Sequence, residues 1–168
     1  IDAVKFAAAF GTWVVQKTNK KKIVIGRDAR PSGQMISDLV SSTLIGLGID
    51  VVDLGLSTTP TVEMAVPHEH AGGGIILTAS HNPVQWNALK LLNHEGEFIS
   101  GDDGKEVLAI AESDDFEFAT VKKLGKISQD HSYIDKHIDM ILNLHLVDAE
   151  AVKEARFKVV VDAVFTDR

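Results

Sequence analysis

Two kinds of apolar pattern alternate along the chain and predict alternating helices and strands. Over residues 2–18, apolar and small side chains recur every three or four positions, as on the buried face of a helix. Thr59-Pro60 predicts the start of a short helix, because proline fits the first turn. Similar spacing or capping signals predict helices at 32–47, 101–112, 128–144 and 148–154. Short apolar runs predict strands at 23–25 (stopped by Gly26), 49–54, 72–79, 87–92 and 157–161.

This alternation predicts the fold class: α/β, with a mixed, largely parallel sheet sandwiched between helices. The 168 residues are enough for one ordinary domain with a full hydrophobic core. The last predicted strand, 157–161, follows a helix-rich region and has no later partner in the sequence. It therefore either closes this domain or opens a second one.

Composition narrows the function classes. Hydrophobic residues make up 45% and charged residues 24%, which is typical of a globular domain. The net charge of −7 argues against general binding of nucleic acid or of anionic membranes, although local donors can still bind a phosphorylated ligand. The absence of cysteine excludes disulfides and thiol catalysis, and it suits the cytoplasm, where we expect the protein. No apolar run is long enough to suggest a membrane span.

The first candidate site is residues 78–83, which read Thr-Ala-Ser-His-Asn-Pro just past a predicted strand. Ligand sites in open α/β sheets concentrate at the carboxyl ends of strands. Here Ser80 would be held on a loop with His81 beside it, and Pro83 would restrict Asn82 to extended or turn conformations. The alternative is a polar turn in which these side chains cap local backbone groups, and composition alone favours that alternative.

The second candidate site is residues 26–33, where Arg27 and Arg30 bracket Asp28 after the first predicted strand. The guanidinium fork binds phosphate with two parallel hydrogen bonds, and the following helix N-terminus would add backbone donors. An Arg–Asp ion pair that stiffens a surface loop is an equally good explanation from the local sequence.

Lys90 follows in the next predicted strand. Strand alternation puts it on the opposite face from Leu89, so that it could reach the Ser80 loop from a neighbouring strand. A lysine acts as an acid or base only where burial or nearby charge lowers its pKa. A solvent-facing lysine is the more common case.

Other motifs for catalysis or phosphate binding are absent. No HExxH, Walker loop, GxGxxG after a strand or GxSxG occurs in the sequence. The histidines other than His81 show no ligand spacing, so we expect them to be structural or exposed and expect no zinc site.

Residues 78–83 resemble the phosphoserine-loop motif of the α-D-phosphohexomutases, which include phosphoglucomutase, phosphomannomutase and phosphoglucosamine mutase. Supporting segments occur in the order of that family at 26–33, 59–61, 73–77 and 87–90. The resemblance covers nearly the whole chain as the first domain of the family.

The resemblance implies a chemistry. Ser80 would carry a phosphoryl group and donate it to a hexose 1-phosphate or 6-phosphate, giving a bound 1,6-bisphosphate, and a glucose 1,6-bisphosphate-type activator would load the enzyme. By matching position, His81 and Lys90 would be catalytic groups, with Lys90 the candidate acid or base. Arg27, Arg30 and Asn82 would bind phosphate or substrate, and Arg30 would also help to position the phosphoserine.

The resemblance also implies partners outside this chain. Mg2+ would contact the phosphoryl group of Ser80 and be held otherwise by an acidic loop of a second domain. Residues 1–155 would be the first domain and 156–168 the start of the second. The opening strand of the family is missing, and residues 86–88 read Trp-Asn-Ala where many members read Tyr-Asn-Gly. Because the resemblance places the cation and sugar sites in other domains, we expect this chain alone to be inactive and to need the remaining domains of its parent chain.

Two other functions compete with this one. The chain could be a non-catalytic phosphate-binding or assembly domain on the same fold. A hydrolase using Ser80 and His81 is the weaker alternative, because adjacent side chains usually point apart and no acidic partner is evident.

Overall fold

The computed structural model describes residues 1–161. A turn of 3-10 helix, Val121–Lys123, precedes the last of the strands in this part of the chain. The elements are, in order, α1 (Asp2–Thr18), β1 (Lys22–Arg27), α2 (Gly33–Gly46), β2 (Asp50–Leu56), α3 (Thr59–His68), β3 (Gly73–Leu77), β4 (Leu89–Leu92), α4 (Gly101–Ser113), β5 (Ile127–Gln129), α5 (Tyr133–Leu142) and α6 (Ala149–Glu154).

The strands form one sheet in the order β4-β3-β1-β2-β5. β1 pairs in parallel with β2 and β3, and β2 pairs in parallel with β5, while β4 runs antiparallel to β3. β1 and β3 have almost uninterrupted buried sequences, as expected of strands covered on both faces. The predicted fold class, a mixed and largely parallel sheet sandwiched between helices, is confirmed.

Helices cover both faces of the sheet. On one face, Phe10 of α1 packs in a cluster with Ile25; on the other, Val62 and Val66 of α3 pack in a cluster with Val24. The alternation of Val24 and Ile25 between the clusters is the two-residue period of a strand. Burying each such side chain contributes about 1.5–3 kcal/mol to folding. None of the helices within residues 1–161 has the length and apolar character needed to cross a membrane.

The first strand is longer than predicted. It does not stop at Gly26 but continues through it to Arg27, and Gly26 pairs with Ile76 of β3. A side chain at position 26 would collide with Val62 of α3, so this glycine permits close packing of a helix on the sheet rather than ending the strand.

The predicted helix at 128–144 is wrong in its first part. Ile127–Gln129 forms β5, and α5 begins only at Tyr133. The carboxylate of Asp130 accepts a hydrogen bond of 3.0 Å from the backbone N–H of Ser132, which turns the chain between the two elements.

The predicted strand at 157–161 is also wrong. These residues have no regular secondary structure and are exposed, because no strand within residues 1–161 lies beside them to supply backbone partners. Residues 162–168, which belong to the predicted start of a second domain, lie outside the described residues.

Candidate active site

Two loops meet at the carboxyl edge of the sheet. The loop after β1 carries Arg27 and Arg30, and the loop after β3 carries Ser80. Because β1 and β3 are parallel neighbours, these loops leave the sheet side by side, and the N–H of Asp28 donates to the carbonyl of Leu77 at 3.0 Å. The structure thus brings together the two candidate segments that the sequence singled out.

Ser80 has an unusual backbone conformation. Its φ of 53° lies in the left-handed region, where a residue with a side chain is strained by roughly 1–3 kcal/mol. Its N–H donates to the hydroxyl of Thr78 at 3.1 Å, and its own side chain is exposed. Such strain persists only where surrounding contacts fix the backbone.

Arg30 supplies those contacts. Its side chain lies beneath the Ser80 loop, only 7% exposed, and donates hydrogen bonds to four carbonyl oxygens of that loop. With the bond from Nε to Asp28, all five N–H groups of the guanidinium have acceptors inside the chain. Nη2 donates to the carbonyls of Ser80 (2.8 Å) and Asn82 (2.9 Å), and Nη1 to those of Pro83 (2.7 Å) and Trp86 (3.0 Å).

Asp28 neutralises the buried cation. Its Oδ2 accepts from Nε of Arg30 at 3.0 Å, and its Oδ1 accepts from the backbone N–H of Arg30 at 3.2 Å. The side chains of Arg30 and Asp28 are 6% and 15% exposed. A buried charge needs such a partner, so the ion pair allowed for in the sequence analysis exists and is structural.

His81 and Asn82 occupy the outer part of the loop. Asn82 folds back on the turn, donating to the carbonyl of Ala79 from Nδ2 at 2.9 Å and from its backbone N–H at 3.0 Å. Nδ1 of His81 lies 3.5 Å from Oγ of Ser80, at the limit of a hydrogen bond. No carboxylate orients His81 within residues 1–161, so the arrangement needed by a serine hydrolase is not formed there.

The guanidinium of Arg27 is only partly hydrogen-bonded within the described residues. Nη2 donates to Gln34 at 2.8 Å and Nη1 to the carbonyl of Asp28 at 3.2 Å, which leaves three N–H groups without an acceptor among the described residues. Arg27 lines a cavity of about 340 Å³ beside the Ser80 loop, together with Asp28, Thr58, Thr59 and Thr78. It also lines a second cavity of about 420 Å³ over the ends of β2 and β5.

Lys90 lies on β4, the antiparallel neighbour of the strand that leads into the Ser80 loop. It pairs with Ile76 across the antiparallel strands, is half-buried, and has its Nζ 6.0 Å from the ring centre of Phe98. No hydrogen bond joins it to Ser80 or His81 within the described part of the chain.

Three histidines outside the loop have structural contacts. Nδ1 of His68 is 2.8 Å from the hydroxyl of Tyr133, Nδ1 of His131 is 3.2 Å from the carbonyl of Leu54, and Nδ1 of His137 is 3.0 Å from Thr61. Residues 1–161 contain no group of three acidic or histidine side chains that could hold a metal ion.

Sequence reasoning did not name Thr58 as part of the site, and it named Asp28 only as an ion-pair partner and Thr59 only in a supporting segment. Thr78 was visible as the first residue of the Ser80 motif, but only its bond to the Ser80 amide gives it a role. Thr58 caps α3 by accepting from the N–H of Thr61 at 3.3 Å, and the helix start brings it to the cavity.

These features describe an α/β/α sandwich that presents a strained serine on a clamped loop at the carboxyl edge of its sheet. The chain belongs to the phosphoglucomutase/phosphomannomutase family, whose alpha/beta/alpha domain I it matches over residues 2–118. The family resemblance of the sequence motifs is thereby confirmed.

Known relatives are similar along most of this chain. It is 37% identical over 161 residues to a phosphoglucomutase/phosphomannomutase of Thermococcus kodakarensis, a match that covers 95% of this chain and 35% of the relative. It is 35% identical to a phosphoglucosamine mutase of Methanococcus maripaludis, covering 86% and 30%. The structure of a phosphoglucomutase/phosphomannomutase family protein from Burkholderia thailandensis superposes with a TM-score of 0.72 at 25% identity, covering 84% and 31%. The chain spans about a third of the length of these relatives.

Proposed function

We propose that this chain is the first domain of a phosphohexomutase that interconverts hexose 1-phosphate and hexose 6-phosphate through a phosphoserine at Ser80. The observation that carries the proposal is the exposed, left-handed Ser80 at the carboxyl edge of the sheet, in a chain of this family. The mutase names of the relatives support the reaction class.

The proposed reaction consists of two phosphoryl transfers, one from Ser80 to the sugar and one from the bisphosphate back to Ser80. A free hydroxyl of the bound sugar phosphate attacks the phosphorus on Ser80, so that the bond to Oγ breaks and a bond to the sugar oxygen forms. The hydroxyl proton passes to a base, for which Lys90 is the candidate, and Oγ of Ser80 takes up a proton as it leaves, with His81 as its polar neighbour. The bound 1,6-bisphosphate then returns its other phosphoryl group to Ser80.

The binding roles divide between the two arginines. Arg27 has unused N–H groups beside a cavity and is suited to a phosphate of the substrate. Every N–H of Arg30 is already bound, so its geometry favours positioning of the loop over direct contact with phosphate. Asn82 is exposed next to the Ser80–His81 pair, and its Nδ2 holds the turn, so it remains a candidate for contact with phosphate or substrate.

Mg2+ and a glucose 1,6-bisphosphate-type activator belong to this proposal. When bound, the cation would neutralise charge on the transferred group. Side chains within residues 1–161 do not form a site for it by themselves. Apart from the phosphoryl oxygens on Ser80, its ligands would have to come from the remaining domains of the parent chain, and we derive no step through it.

The intact mass of the complete parent protein, with peptide mapping of residues 78–83, tests the proposal. After incubation with glucose 1,6-bisphosphate and Mg2+, we expect one phosphoryl group on Ser80, which a hexose 6-phosphate then removes. Ser80→Ala should abolish labelling and turnover, whereas Ser113→Ala, at the exposed end of α4, should not. A parent protein that stays unmodified would overturn the mutase function and leave a phosphate-binding or assembly domain.

A further inference from the structure

The peptide groups of the Ser80 loop have a fixed polarity. In a trans peptide the C=O of one residue and the N–H of the next point in opposite directions, and residues 1–161 contain no cis peptide bond. Arg30 binds the carbonyls of residues 80, 83 and 86 from beneath the loop. The N–H groups that follow must therefore point away from the guanidinium. These amides belong to His81, Val84 and Asn87.

The same amides have no acceptor. None of them donates a hydrogen bond within residues 1–161, whereas the neighbouring amides of Asn82 and Trp86 bond to carbonyls inside the loop. His81 and Val84 are also exposed. The loop thus satisfies its carbonyl oxygens internally and directs unused N–H donors outward, on the side opposite to the buried cation.

We propose that these outward amides, and first that of His81 beside the nucleophile, bind the phosphoryl group on Ser80, and that Asp28 and Arg30 are positioning residues for them. The inference rests on the proposed function of Ser80 as a phosphoserine. It assigns the phosphate contact of this loop to main-chain donors rather than to the arginine beneath it.

Physical chemistry favours this arrangement. A phosphoryl group offers three strong acceptor oxygens, and backbone N–H groups without an internal acceptor are donors that can bind them. A cation bound to a peptide carbonyl polarises that peptide and makes its N–H a stronger donor. In a chain of net charge −7, neutral donors backed by one buried cation provide a local site for an anion.

Amide hydrogen exchange of the complete parent protein tests the inference. Phosphoserine is installed at position 80 during translation, and the protein is compared with its unmodified form in the presence of EDTA. We expect exchange at His81 and Val84 to slow by about tenfold or more, because a hydrogen bond to a charged acceptor contributes about 1.5–3 kcal/mol. Gln85 should not change, because the carbonyl before it is not bound by Arg30. A merely stiffer loop would slow Gln85 as well.

Arg30→Lys should remove most of the slowing, because one ammonium cannot hold four carbonyls, while Arg156→Lys on the surface should keep it. Asp28→Asn should weaken it partially. Equal exchange at His81 with and without phosphate in the folded wild-type protein would overturn the inference, even if Arg30→Lys failed to fold. Because the phosphoserine is encoded, failure of the parent to phosphorylate itself would count against the mutase function alone.

Discussion

Nη2 of Arg30 donates to the carbonyl oxygen of Ser80 at 2.8 Å across 50 residues of sequence. The contact links the loop after β1 to the loop after β3, and through it one buried side chain determines the conformation of the candidate nucleophile. Because every N–H group of this guanidinium is bound within the chain, Arg30 holds the loop in place and has no donor left for a ligand.

Replacing Arg30 by alanine should be strongly destabilising. The substitution leaves the carboxylate of Asp28 and four carbonyl oxygens without their donor, and breaking a buried ion pair costs about 3–5 kcal/mol. Urea unfolding of the protein, followed by circular dichroism, measures the loss. Arg156→Ala is the control at an exposed position and should change the free energy of unfolding by less than about 0.5 kcal/mol. Equal stability of the two variants would contradict the conclusion that Arg30 holds the Ser80 loop in place.

Ser80 should tolerate glycine and reject a β-branched residue. Glycine adopts a φ of 53° without strain, but it loses more backbone entropy on folding, so the two effects offset each other and Ser80→Gly should not destabilise the protein while it removes the phosphorylation site. Valine in the left-handed region should cost about 1–3 kcal/mol. Thermal unfolding of both variants, with intact mass for labelling, tests the pair, and a Val variant as stable as the Gly variant would show that the position is unstrained.

Removal of Arg27 should weaken substrate binding more than it changes the loading of Ser80. Arg27→Ala takes away donors at the 340 Å³ cavity but leaves the Arg30 contacts intact. We expect KM for hexose phosphate to rise about tenfold or more in the complete enzyme, from the loss of a charge-assisted contact. Steady-state kinetics combined with phosphoserine stoichiometry separates the two effects. A lower phosphoserine content with an unchanged KM would contradict the role of Arg27 in substrate binding.

Acid should weaken the turn before α5. Hydrogen bonds from Lys136 and Ser132 lower the pKa of Asp130 to about 2. A carboxylate whose pKa is lowered by folding stabilises the protein above its unfolded pKa near 3.8, and this contribution disappears as pH falls toward 2. Allowing for solvent screening, it amounts to about 1 kcal/mol. Urea unfolding of wild type and Asp130→Asn between pH 2 and 7 checks this: the two curves should converge at low pH, and a constant difference would contradict it.

The hydrogen bond from Tyr133 should have a measurable effect on the pKa of Glu69. The Tyr133 hydroxyl donates to Glu69 at 2.6 Å, and this bond is the main reason that the pKa of Glu69 is lowered. Burial, and next the same carboxylate, raise the pKa of Tyr133 itself. In Tyr133→Phe, the pKa of Glu69 should rise toward 4.5 and stability at pH 7 should fall by about 1.5 kcal/mol. A 13C NMR titration of the Glu69 carboxyl measures its pKa. An unchanged pKa in Tyr133→Phe would contradict the role given to this hydrogen bond.

Local sequence was enough to place the Ser80 loop, because a buried apolar strand ending in a polar, proline-bounded motif defines both its position and its exposure. The role of Arg30 could not be predicted in the same way, since its acceptors are backbone oxygens 50–56 residues away that carry no sequence signal. β5 was missed for a related reason. Its three residues are exposed and too few to show a period, and only pairing with β2 makes them a strand.

The hydrogen bonds from Arg30 to the Ser80 loop also determine which side chains of this loop can change. Arg30 recognises main-chain oxygens and reads no side chain between residues 80 and 86. Val84 and Trp86 are 62% and 61% exposed, so neither contributes to the fit. The residues at these outer positions can therefore be substituted while the backbone conformation is preserved. The exposed tryptophan at position 86 therefore shapes the outer surface of the loop without affecting the backbone of Ser80.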